Sequence, residues 1–323
     1  MKRIIEVKNL KKYFKIRSGK TEYSNRYVAA VDDVSFSIER GETLGLVGES
    51  GCGKTTISRC ILRLLEASSG SVFFEGREIF GLRATEMREI RRNMQIIFQD
   101  PYSSLNPRSV ILDIVGEGLS IHKMVKTRTE MAERVSELVK KVGLQPDIIY
   151  RYPHEFSGGQ RQRIAIARAI ALSPSFIICD EPVSSLDVSI QAQIMNLLID
   201  FQKELSLAYL FIAHDLAVVK LISHTIAVMY SGQIVEMAPT EELFQNPVHP
   251  YTISLLSSIP IPDPRISRKR IVRDDFSNGK GKTSKGCLYA SVCDKAGERC
   301  FENKNDDVYI NSSHMVKCIK AFK

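Results

Sequence analysis

The stretch Gly48-Glu49-Ser50-Gly51-Cys52-Gly53-Lys54-Thr55-Thr56 constrains the fold more than any other part of this 323-residue chain. It is a Gly, four residues, then Gly-Lys-Thr. The apolar run Thr43-Leu44-Gly45-Leu46-Val47 precedes it and reads as a buried strand. Ile57 to Leu65 follows and reads as a helix. A strand, a Gly-rich turn and a helix are the setting a phosphate-binding loop needs. Glycines let the backbone curl so that successive N–H groups point at phosphate oxygens. The helix start adds its positive dipole end. In such a loop Lys54 reaches the β- and γ-phosphates, and the Thr55 hydroxyl binds Mg²⁺. A chance match in a Gly-rich turn would not need that frame. The loop predicts a nucleoside-triphosphate site, and a thiol reagent on Cys52 should block it by bulk.

Composition narrows the class. The chain is 44% hydrophobic and 25% charged, as ordinary globular proteins are. No apolar run approaches the roughly 20 residues that span a bilayer. Glu6 falls where a signal peptide needs apolar residues. The expectation is a cytosolic chain, or one held by something in the membrane. The net charge of +8 is spread widely, with one denser patch near Arg265–Lys285 that also holds Ser and Gly. That patch reads as a solvated linker, with anionic lipid or nucleic acid as the rival ligands, and no nucleic-acid partner is predicted.

Residues 4–10 and 28–38 alternate as strands do. Tyr13 lies between them, either as a ring to stack on a purine base or as an ordinary strand-end aromatic. Residues 70–76 and 94–98 read as strands, and 84–92 as a helix. The second strand ends in Gln99, placed to touch a metal or an attacking water. Residues 110–143 read as helices. Ser157 is a good N-cap, and Ser157-Gly158-Gly159-Gln160 at a helix start is an anion-binding geometry.

The run Phe176-Ile177-Ile178-Cys179 is a buried strand ending in Asp180-Glu181. Paired carboxylates repel in a partly desolvated site, so both are candidates for chemistry. Asp180 can hold the Mg²⁺ shell, and Glu181 can polarise a water as general base. Asp187 opens the next helix. A further strand, 208–213, ends in His214, which can donate to a γ-phosphate. These strand ends should line one face of a parallel sheet. Residues 225–230 and 233–238 read as a hairpin, and 240–245 as a short helix. Five prolines then fall between Pro247 and Pro264, which puts a domain boundary near 245.

Phosphate loop, Gln99, Ser157-Gly158-Gly159-Gln160, Asp180-Glu181, Asp187 and His214 occur in that order. Over about residues 4–245 they resemble the ATP-binding cassette ATPases, the motor subunits of ABC transporters. The fold implied is α/β: an ABC-type P-loop NTPase with a RecA-like parallel-sheet core, an antiparallel β subdomain and an α-helical signature subdomain (about 100–170), followed by a small Cys-rich extension, 246–323. The resemblance implies roles. Gly48 to Thr56 would be the Walker A loop, with Tyr13 as the adenine-stacking aromatic. Gln99 would sense Mg²⁺ and water. Ser157 to Gln160 would contact the γ-phosphate bound by a partner subunit. Asp180 would be the Walker B acid, Glu181 the catalytic base, Asp187 the D-loop acid and His214 the switch histidine.

A narrower likeness follows. Gln99 to Arg108, and Asn246-Pro247-Val248-His249-Pro250-Tyr251-Thr252, look like segments of oligopeptide/dipeptide importer ATPases, of the F type. That implies a D-type ATPase as heterodimer partner, two transmembrane permeases, an extracytoplasmic binding protein, and a place at the cytoplasmic face of the membrane. Nickel or an oligosaccharide is the alternative cargo, and a soluble ABC ATPase the alternative class.

Cys287, Cys293, Cys300 and Cys318 crowd the C-terminal end. Four thiolates can bind zinc or a [4Fe–4S] cluster, or be loose thiols, and spacing alone does not choose. The importer tail shares the Cys spacing at the first three positions and carries [4Fe–4S], which implies that cluster here. Asp294 departs from its common Pro. His314 leaves a Cys₃His zinc site open.

Overall fold

The computed structural model describes residues 3–15, 27–259, 286–302 and 306–321. The basic segment Arg265–Lys285 lies outside them. Twelve strands are seen among the described residues: β1 (Arg3–Lys15), β2 (Tyr27–Glu39), β3 (Thr43–Val47), β4 (Ser69–Phe74), β5 (Arg77–Glu78), β6 (Met94–Ile97), β7 (Phe176–Asp180), β8 (Ala208–Ala213), β9 (Thr225–Tyr230), β10 (Gln233–Pro239), β11 (Val308–Tyr309) and β12 (Met315–Val316). They form two sheets. One is antiparallel, in the order β2-β1-β4-β5; the other runs β11-β12-β10-β9-β3-β8-β7-β6.

The larger sheet is parallel from β6 to β9. Its central strands β3, β7 and β8 are buried on both faces. That is why they read as continuous apolar runs rather than alternating ones. One apolar cluster lies between this sheet and the helices; it includes Ile111, Val115, Val135 and Ile164. A second lies between the two sheets and includes Ile5, Val34, Leu46 and Ile212. The parallel register brings Val47, Asp180 and Ala213 to the same end, so the loops after β3, β7 and β8 share one rim. Helical subdomain segments Ile111–Ile121 and Arg128–Lys141 pack on the signature helix Gly158–Ile170.

The extension joins the large sheet. β12 pairs with β10 through Glu236↔Val316 and Met237↔Met315, and β11 pairs with β12. Beneath this pairing lies a buried polar staple. Glu236, fully buried, accepts from the backbone N–H groups of Val248 at 2.8 Å and His249 at 2.9 Å. Nε2 of His314 lies 2.9 Å from Glu236 Oε1, and Nδ1 lies 3.0 Å from Glu242 Oε1. That interaction holds the Glu242 carboxyl below the usual carboxylate range. His314 is therefore not a ligand alongside the cysteines. Both ring nitrogens already face carboxylates, so the Cys₃His arrangement is set aside.

His249, also buried, uses Nδ1 to accept from the N–H of Tyr251 at 3.1 Å. Burial pushes its pKa down to about 4, so it stays neutral.

Candidate active site

The rim after β3, β7 and β8 holds a cleft of about 400 Å³. It is lined by Ala30, Ser50, Gly51, Gly53, Lys54, Thr55, Thr56, Gln99, Glu181 and His214. The loop at its base is tightly packed. Gly53 has φ 113°, and a Cβ there would lie 2.0 Å from the Ala30 carbonyl oxygen. No side chain fits. Gly232 N–H, from the β9–β10 turn, donates to the Cys52 carbonyl at 2.9 Å. The helix Lys54–Ile61 then starts with its N–H groups toward the cleft.

Lys54 is 4% exposed, and among the described residues no carboxylate is bonded to it. Its ammonium donates to the carbonyls of Gly48 at 2.7 Å and Glu49 at 2.9 Å. A buried cation so held is poised for an anion. Thr55 Oγ1 donates to Asp180 Oδ1 at 3.2 Å. Burial raises the Asp180 pKa and Glu181 adds to this, while the Thr55 hydrogen bond, Arg59 and Lys54 oppose it. A buried carboxylate beside a hydroxyl is a fitting donor set for a divalent cation such as Mg²⁺.

Glu181 sits in the left-handed region, at φ 48°, with its N–H donating to the Ile212 carbonyl at 2.9 Å. A non-Gly residue there is strained by roughly 1 kcal/mol or more. Its side chain lines the cleft. Glu181 Oε2 accepts from Gln99 Nε2 at 2.9 Å and lies 3.3 Å from His214 Nδ1. Three residues from three strand ends thus meet on one oxygen.

Other expected residues stand elsewhere. Ser157 caps its helix: its hydroxyl accepts from the Gln160 N–H at 3.3 Å, and its own N–H donates to Gln160 Oε1 at 3.0 Å. Ser157 to Gln160 do not line the cleft. Asp187, exposed, opens the helix Val188–Leu205. Tyr13 pairs with Ala29, beside the cleft residue Ala30, but its hydroxyl donates to Asp32 at 3.0 Å and it lines no part of the cleft. Cys52 is buried, and burial raises its thiol pKa. That slows its reaction with a thiol reagent at neutral pH and leaves open the expectation that a group attached there would block the site by bulk. Sequence reasoning missed Ala30, which carries no chemical signal, and Tyr251, whose hydroxyl accepts from the Glu49 N–H at 3.1 Å.

The four C-terminal cysteines line one cavity of about 320 Å³, with His249, Tyr289, Lys295 and Lys320. The Cys287 N–H donates to the Cys300 carbonyl at 2.8 Å. Gly286 lets these segments meet, since a Cβ there would lie 2.3 Å from that carbonyl oxygen. Among the described residues, no three His, Cys, Asp or Glu side chains are arranged to hold a metal ion.

A phosphate loop, a Mg²⁺-suited acid and a hydrogen-bonded glutamate at the ends of parallel strands mark a P-loop ATPase. Residues 31–184 match the family described as ABC transporter. Residues 235–300 match the oligopeptide/dipeptide transporter C-terminal region. The chain is 57% identical over 270 residues to the oligopeptide transport ATP-binding protein OppF of Bacillus subtilis (strain 168), across 83% of this chain and 86% of that one. It is 46% identical over 323 residues to OppF of Escherichia coli (strain K12), across 98% and 96%. A dimeric post-hydrolysis structure of the cassette MJ0796 bound to ADP and Pi superposes with TM-score 0.65 at 27% identity, over 73% of this chain and 98% of that one. The chain belongs to the ABC transporter ATP-binding proteins, in the oligopeptide/dipeptide branch, and hydrolyses ATP.

Proposed function

We propose that the chain is the motor subunit of a peptide importer at the cytoplasmic face of the membrane. In this reading it works with two permeases, an extracytoplasmic binding protein and a D-type ATPase subunit. One observation carries the reading: the cleft holds the P-loop, Glu181 and His214, whereas Ser157 to Gln160 stand outside it. Each site would be completed by the partner's signature loop. The likeness to a dimeric cassette and to proteins named for oligopeptide transport supports this. Among the described residues, no helix is long and apolar enough to cross a membrane.

The roles proposed here combine the cleft's lining with the resemblance to ABC ATPases. Loop N–H groups and Lys54 bind the phosphates. Thr55 and Asp180 would hold Mg²⁺, whose charge offsets that of the phosphate oxygens. Gln99 and His214 orient Glu181, which accepts a proton from the attacking water. His214 then faces the γ-phosphate. Tyr13 would stack on the base and Asp187 would border the dimer seam; these two roles rest on the family resemblance, since neither residue lines the cleft. In proteoliposomes with permeases and binding protein, an oligopeptide should raise ATP hydrolysis. Stimulation by nickel or an oligosaccharide instead would reassign the cargo.

The [4Fe–4S] reading rests on the number of thiols and on their lining one cavity; the cysteine side chains are not gathered around a common point in this structure. Cys287, Cys293, Cys300 and Cys318 would hold the cluster. It would act as a structural staple of the extension. Anaerobically purified protein should contain about four irons per chain and absorb visible light. Stoichiometric zinc without colour would overturn this.

A further inference from the structure

We infer that Tyr251 is a positioning residue of the ATP site, supplied by the C-terminal extension to hold the phosphate loop in its binding shape. The inference rests on reading Gly48 to Thr56 as the phosphate site. Tyr251 lies on the helix Pro250–Ser257 and is 2% exposed. Its hydroxyl accepts from the Glu49 N–H at 3.1 Å, across 202 residues of sequence. The carbonyl of the same residue accepts from Lys54 Nζ at 2.9 Å. Glu49 is thus gripped from behind by the extension and in front by the phosphate-binding ammonium. At the far end of the loop, the Gly232 N–H holds the Cys52 carbonyl at 2.9 Å. The loop is fixed at two points, and one of them belongs to the extension.

The grip is stiff. The Tyr251 ring packs against Tyr230 at 4.7 Å and Tyr289 at 5.4 Å between centroids. Tyr289 stands 5.6 Å from His249, and both line the cysteine cavity. An aromatic cluster therefore joins that cavity to the loop, and the extension's packing sets where the hydroxyl sits.

Tyr251→Phe keeps the ring and removes only the hydroxyl. In the full chain, the Kd for a fluorescent ATP analogue should rise roughly tenfold, as for a donor left without its partner. The rate at saturating ATP should fall far less, because Glu181, Gln99 and His214 are untouched. Hydrogen exchange at the Glu49 amide should quicken in nucleotide-free protein. An unchanged Kd would overturn the inference. So would parallel losses of affinity, maximal rate and nucleotide-free melting temperature, which mark a merely structural residue. Lys54→Ala separates the two readings. If that variant still binds ATP normally, the phosphate-loop reading fails; if it does not, and Tyr251→Phe binds normally, only the positioning role fails.

Discussion

Glu181→Gln should bind ATP as tightly as the native chain while releasing phosphate roughly 10²–10⁴-fold more slowly, the contribution of a positioned general base. Among the described residues lining the cleft, Glu181 supplies the one carboxylate. Its Oε2 is taken up by Gln99 at 2.9 Å and His214 at 3.3 Å. Among the described residues no hydrogen bond is made to Oε1, which could meet a water. A glutamine can still accept from Gln99 through its carbonyl oxygen, so the cleft keeps its shape. It cannot take a proton from water at neutral pH. Binding rests on the loop N–H groups and on Lys54, which the substitution does not touch. Phosphate-release kinetics beside a fluorescent-nucleotide titration separate the two. Hydrolysis at the native rate would remove Glu181 as the base.

The second large effect is on stability. Glu236→Ala should cost roughly 3–5 kcal/mol in denaturant unfolding, the scale for breaking a buried charged network by removing one member. The carboxylate is fully buried, accepts from the Val248 and His249 N–H groups and lies 2.9 Å from His314 Nε2. Alanine leaves all three without that partner. Glu242→Ala removes the outer, partly exposed partner that His314 shares with Asn311 Nδ2, and should cost far less. Limited proteolysis of Glu236→Ala should cut the extension first. Equal costs for the two variants would show that burial at Glu236 is not the source of the stability.

Much of the site was legible in the sequence. The strands behind the P-loop, Asp180 and His214 are buried on both faces, so their apolar runs stand out and end sharply at the functional residues. Ser157 announced itself as a cap because local hydrogen bonds, read from adjacent residues, decide it. What escaped depends on contacts far apart in the chain. The hydroxyl of Tyr251 reaches Glu49, and Glu236 reaches His314, with no periodicity to signal either. His314 looked like a metal ligand because a histidine near cysteines carries the same local signature whether it meets metal or carboxylate. Tyr13 had two readings because a strand pattern gives the face of a ring but not its hydrogen-bond partner, here Asp32. The strained backbone of Glu181 has no sequence mark, since glutamate is not a residue that favours that region.

The short strands at the end of the chain have a consequence for solubility. β10 carries Ile234 and Val235, both buried, and one side of its backbone would face water if the tail were absent. Residues Met315 and Val316 occupy that side, and Val308–Tyr309 form a two-residue outer border. An uncovered hydrophobic strand edge is a template for pairing with other chains. The tail therefore guards the cassette against sheet-to-sheet aggregation, whatever its cysteines hold.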